Sequence, residues 1–180
     1  MYYNLQEKQM VLEDFNKTID IWITELDKYT IHQLVSKPLK GWSLGQLYMH
    51  LVNDSQFYIE QINICLLENE NSNEESSDFA RMLFSNGSFP DEDIAGDPSN
   101  SFIKQPDSKE QLQDFLISLR TEFNKLYKPI TQSTFKGKTK HPGLNYFNAI
   151  EWFLFAEMHF RHHLRQKKKI DLLLVKDKIL

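Results

Sequence analysis

Glu157-Met-His-Phe-Arg-His-His-Leu-Arg-Gln166 carries three of the chain's six histidines, with His159 and His163 four residues apart. On a helix that spacing brings two side chains to one face, about one turn from each other. Two imidazoles so placed can share a divalent cation, but two ligands make a weak site. A third histidine, His50, lies on a separate helical signal far upstream, and the expectation is that the fold brings it to meet the pair. At about 100° per residue, Trp152, His163, Gln166 and Ile170 fall within about 40° of His159, and Phe155 is near that limit. The pair therefore points along an apolar stripe, toward a core rather than water. His162 lies about 60° to the other side, so the geometry favours His163 as the partner of His159 and leaves His162 open. A lone histidine on such a face is more often a hydrogen-bonded core residue than a ligand. Three converging ones are what point to metal.

The remaining chain supplies helices of matching length. Leu12, Phe15, Ile19, Trp22, Leu26 and Tyr29 recur at spacings of three and four, which predicts an amphipathic helix over residues 5–29. Pro38 and Gly41 punctuate residues 30–42. Ser43 followed by Gln46 fits a capping box that opens a second helix, running to about residue 67, with His50 beside its stripe of Leu44, Leu47, Leu51, Tyr58 and Ile62. Residues 68–107 begin acidic and polar, allow a short helix over 78–84, and continue through Gly and Pro turns. Forty residues are too many for a helical hairpin loop, but they can carry the chain the length of a bundle. Asp107-Ser108 with Gln111 opens a third helix, whose stripe is Leu112, Leu116, Leu119, Phe123, Leu126 and Ile130. Residues 131–143 read as a loop, and Asn145 as the N-cap of a fourth helix reaching about residue 174. With no convincing strand pattern, the expected fold is an all-α four-helix bundle. A long crossover joins its helices 2 and 3, and one domain spans residues 1–180.

Composition narrows the function. The chain is 41% hydrophobic with a net charge of −4, which gives no general electrostatic reason to bind nucleic acid or a membrane surface. The one basic run, Arg165 to Lys169, reads as a complement to the negative end of the last helix. The single cysteine, Cys65, excludes an intramolecular disulfide framework, suits a reducing cytosol, and sits in an apolar stretch as a small hydrophobe rather than a nucleophile. The N-terminal residues lack a signal-peptide pattern, and no apolar window is long enough to span a bilayer. A cytoplasmic protein is expected.

Trp42-Ser43 followed by His50-Leu51, and Glu151-Trp152 followed by His159-x-x-His162-His163-x-x-Gln166, resemble the DinB-like superfamily of four-helix bundles. The likeness covers roughly residues 10–170. The His141-Pro142 step resembles a subgroup of that family, although the loop His141-Pro142-Gly143-Leu144 is shorter than the subgroup's usual form. The resemblance implies a metal held by His50, His159 and His163, with His162 not a ligand, and a homodimer by family analogy. The apolar tail Leu172 to Val175 either helps form that dimer or packs on the bundle. The resemblance also implies one of two enzyme types. One is a thiol S-transferase that joins a bacillithiol-like small thiol to an electrophilic small molecule; the other is a metal-dependent hydrolase. A non-catalytic metal-binding or structural bundle is the third reading. Three neutral imidazoles leave coordination positions open, as in catalytic zinc sites, and they also suit nickel or iron. Asp54, Glu151 and Glu157 are candidate acceptors for the ligands' second N–H groups. Trp152, Phe155 and Phe57 are candidates for the wall of an apolar pocket.

Overall fold

Apolar residues at spacings of three and four build four long helices, and their stripes meet in one core. The computed structural model describes residues 4–39, 41–91 and 102–176. In chain order the elements are α1 (Leu5–Leu26), α2 (Ile31–Val35), α3 (Leu44–Cys65), α4 (Asp78–Asn86), α5 (Lys109–Gln132), β1 (Lys138–His141), β2 (Asn145–Asn148) and α6 (Ala149–Lys176). Phe15, Ile19, Trp22 and Leu26 of α1 are buried, as are all six stripe residues of α5. The centre is aromatic: Phe15, Phe123, Phe153 and Phe160 pack ring against ring. Trp22 donates to the Phe160 carbonyl at 3.1 Å and Tyr48 to the Trp22 carbonyl at 3.0 Å, so neither polar end is left bare.

Contacts along the helices establish their directions. Thr18 meets Glu157 and Tyr29 meets Asp171, so α1 and α6 run parallel. Asp20 meets Arg120 and Asp27 meets Lys109, so α1 and α5 run antiparallel. The start of α3 lies against the start of α5, where a Cβ on Gly45 would stand 2.7 Å from the Pro106 ring. Helices α3 and α5 are therefore parallel, which a direct turn cannot connect, and the long crossover between them is required.

The N-termini follow local chemistry. Asn4 with Glu7 and Ser43 with Gln46 are full capping boxes. At α5, Ser108 accepts from Gln111 N–H, but the Gln111 side chain accepts from Asp107 N–H instead, so the expected box is only half formed.

Several expectations are corrected. Residues 30–42 hold the short α2, capped by Thr30. Helix α5 passes through Pro129 and ends at Gln132. The expected loop over 131–143 contains β1, which pairs with β2 from Lys138↔Asn148 to His141↔Asn145. Asn145 is therefore a strand residue at a tight turn, with φ of 65°, a conformation asparagine tolerates better than most side chains. The cap of α6 is Asn148: its Oδ1 accepts from Glu151 N–H, while Glu151 Oε2 accepts from Asn148 N–H. Finally, Arg165 to Lys169 is not at the helix end, because α6 continues to Lys176 and dipole effects fade within the last turn. Lys167 is instead buried, bound to Tyr29 Oη at 2.6 Å, Asp171 at 2.8 Å and Glu25 at 2.9 Å. Burial pushes its pKa down, but these partners outweigh burial and hold it above the usual lysine range.

Candidate metal centre

Helices α3 and α6 are antiparallel neighbours, and their facing stripes carry His50 on one side and His159 with His163 on the other. The three Nε2 atoms converge: His50 lies 3.2 Å from His159 and 3.1 Å from His163, and the α6 pair are 3.0 Å apart. All three rings are buried. Nitrogens bonded to one zinc at about 2.0–2.1 Å stand about 2.9 Å apart in an octahedral set and about 3.4 Å apart in a tetrahedral one. The observed separations fall between these values, so the donors fit a single divalent ion.

Hydrogen bonding alone does not account for the cluster. Each neutral imidazole has one N–H, so each Nε2 is either a donor or an acceptor. Among three mutually close atoms of two kinds, at least one pair must be alike, and like pairs repel. The outward nitrogens point the same way. His163 Nδ1 lies 2.6 Å from Gln166 Oε1, which places the proton on Nδ1 and the lone pair on Nε2. The Nδ1 atoms of His50 and His159 are buried without a hydrogen-bond partner. His50 Nδ1 is 3.5 Å from Asp54 Oδ1, close enough for attraction but outside hydrogen-bond geometry. A cation at the centre would accept a lone pair from each of the three Nε2 atoms and so satisfy all of them at once.

Electrostatics keep the rings in the ligand form. Burial lowers the His50 pKa to about 4, and burial together with His50 and His162 lowers that of His163 to about 3. Burial, then the neighbouring histidines, carries His159 well below its ordinary value. All three are neutral at pH 7, with lone pairs to offer.

The neighbours sort themselves by contact. His162 faces away from the cluster, taking Arg165 Nη2 at 2.7 Å on its Nδ1 and packing on Phe89. Of the three candidate acceptors only Asp54 reaches the site, with Oδ1 by His50 and Oδ2 3.8 Å from His159 Nε2. Glu151 caps α6, and Glu157 takes bonds from Thr18 and Arg161. The acceptor actually used by His163 is Gln166, whose position three residues on was visible in the sequence. Trp152 and Phe155 are core residues, Trp152 donating to Thr139 Oγ1, whereas Phe57 is 38% exposed. Trp42, its ring 5.0 Å from His50, and Phe89, 6.4 Å from His159, complete the surroundings. No sequence pattern marked Phe89. The segment bearing it is drawn onto α6 by Arg161 on the Gly87 carbonyl and Arg165 on the Pro90 carbonyl and Asp91. Cys65 is remote from the triad, four turns beyond His50 along α3, and burial pushes its thiol pKa up to about 11. It is not an activated nucleophile.

A helical bundle with a buried three-histidine cluster that can hold a divalent metal ion defines a class of protein, and the family comparison agrees with it. The family model of the DinB superfamily matches residues 26–166. The chain belongs to the DinB superfamily. No curated protein matches it. Among the described residues no helix is long and apolar enough to cross a membrane.

Proposed function

We propose that this protein is a metal-dependent enzyme that transfers a small thiol to an electrophilic small molecule, with His50, His159 and His163 holding a divalent ion, zinc first among the candidates. The observation that carries the reading is the convergence of three neutral Nε2 atoms within 3.2 Å of one another, in a cluster that hydrogen bonding cannot satisfy. A bound divalent ion supplies the charge that deprotonates a thiol at neutral pH. The chain's own residues do the rest. Gln166 fixes the His163 tautomer, and the Asp54 carboxylate stands 3.5 Å from His50 Nδ1, close enough to attract a positive charge there. The rings of Trp42 and Phe89 stand against His50 and His159, an apolar surround that suits an apolar electrophile.

Hydrolysis is the second reading, favoured by one feature: the Asp54 carboxylate beside the triad is placed to accept a proton from a water. The two separate in one assay. Protein purified without a histidine tag is analysed for metal, then given monochlorobimane with and without a thiol, and activated esters without one. Metal- and thiol-dependent consumption of the bimane is expected. Ester turnover without thiol would replace the transferase by a hydrolase. A protein that binds no metal and keeps its fold and properties as the His50→Ala/His163→Ala double variant would be a structural bundle.

A further inference from the structure

The three rings of the triad are buried, so an ion from solvent reaches their Nε2 atoms only when part of the cover moves. Much of that cover rides on the ligand-bearing helices. Tyr58 on α3 and Phe155 on α6 face His159, and Trp42, which faces His50, directly precedes the α3 cap Ser43. Phe89 does not. It comes from residues 87–91, which follow α4, and its ring centroid lies 5.3 Å from that of Phe155, 5.1 Å from His162 and 6.4 Å from His159.

Two arginines of α6 hold this segment down. Arg161, itself fixed by the buried Glu157, donates to the Gly87 carbonyl at 2.6 Å. Arg165 donates to the Pro90 carbonyl at 2.9 Å and pairs with Asp91 at 3.0 Å. The Arg165 and Asp91 side chains are 38% and 89% exposed. Water competes for such contacts, so each is weak. The near end of the segment is firmer. Ala80, Leu83 and Phe84 of α4 are buried, and Gly87 closes that helix with φ of 59°, its own N–H and that of Ser88 returning to the Phe84 and Leu83 carbonyls. A helix stopped by buried side chains thus leads into a strap held through partly exposed ones, and segments of the second kind open first.

We propose that residues 87–91 form a latch over the triad: release of Arg165 lets the segment swing out about Gly87, withdraws Phe89 from His159 and opens a way for the metal ion. The latch rests on the metal reading above and adds how the ion enters and leaves. The candidate ligands are His50, His159 and His163, none of them in the latch. Open and closed forms therefore hold the ion equally, and opening changes rates rather than affinity.

Zinc loading of the metal-free protein and zinc release to excess EDTA, both timed by stopped flow with an indicator dye, test this beside a Kd from chelator competition. Arg165→Ala and Phe89→Ala should each speed loading and release by about three- to tenfold, the factor that one or two net hydrogen bonds give. The Kd should stay where it is. Faster release alone, with a weaker Kd, would make these residues supports for the ligand rings and overturn the latch. Unchanged rates in both variants would overturn it as well. Wild-type protein that binds no zinc would remove the metal reading itself, and the latch with it.

Discussion

Replacing His159 with leucine should make the metal-free protein more stable and the metal-loaded protein less so. In the wild type, His159 contributes a buried Nδ1 without a partner and an Nε2 pressed against two others. Each unsatisfied buried polar group costs about 1–3 kcal/mol. Leucine has a similar volume and meets Phe155 and Tyr58, apolar rings that it can pack against. Imperfect fit takes back up to about 1.5 kcal/mol, so a net gain of about 1–2 kcal/mol remains. For a chain of 180 residues that corresponds to a rise in Tm of about 2–8 °C. Zinc reverses the order. An ion at a hundred times its Kd stabilises the wild type by about 2.7 kcal/mol, and a variant with two ligands loses most of that. Thermal melts of both proteins in EDTA and in excess zinc should therefore cross. The reasoning is refuted if the metal-free variant is destabilised by more than about 2 kcal/mol, because the three imidazoles would then be a structural hydrogen-bonded element rather than an ion cage.

Acidification should weaken the metal-free fold. The pKa values of His50 and His163 fall from about 6.5 unfolded to about 4 and about 3 folded, so the unfolded state binds the extra protons. Their stability contribution is present above pH 6.5 and is lost as pH falls toward 4, by up to about 1.4 kcal/mol per pH unit for each group. A flat denaturation midpoint between pH 6.5 and 4.5 would contradict this. Gln166→Ala removes the acceptor of His163 Nδ1–H and should weaken zinc binding about 10–100-fold in a chelator competition. The metal-free protein should lose up to about 1–3 kcal/mol as that N–H is left without its acceptor, and an unchanged affinity would count against a positioning role. Lys167→Met takes a partner from Glu25, which keeps Lys28, and from Asp171, which keeps Tyr29 Oη, both carboxylates being 25% exposed. Because water can reach those carboxylates, the expected loss in urea denaturation is about 1–3 kcal/mol, below that for fully buried pairs; a gain would show that packing outweighs the ion cluster.

The bundle was legible because its signals are local. A 3.6-residue period and a serine three residues before a glutamine act within one or two turns, and Ser43 with Gln46 forms as read. The hairpin was not legible. Lys138-Thr-Lys-His141 and Asn145-Tyr-Phe-Asn148 have no clean alternation. They become strands because Phe147 docks on Trp152 and Phe84, and because residues 70–77 bind their edges through Glu70, Glu75 and the Leu144 carbonyl. Asn145 looked like a cap because its chemistry permits one; the pairing of His141 with Asn145 moved the start of α6 to Ala149.

By itself the sequence put His159 and His163 on one helix face and offered His50 as the third candidate with His162 left open, since residue spacing within a helix dictates which side chains share a face. Tertiary structure alone decided everything that depends on distance across the bundle. It set the near-contact of the three Nε2 atoms, the choice of Gln166 and Asp54 over Glu151 and Glu157 as neighbours, the turning of His162 toward Arg165, and the burial of Lys167 in the middle of a basic run. The physical reason is that periodicity orients a side chain about its own helix axis, whereas hydrogen-bond partners and ion sites require atoms within about 3 Å, a precision that only packed neighbouring helices impose.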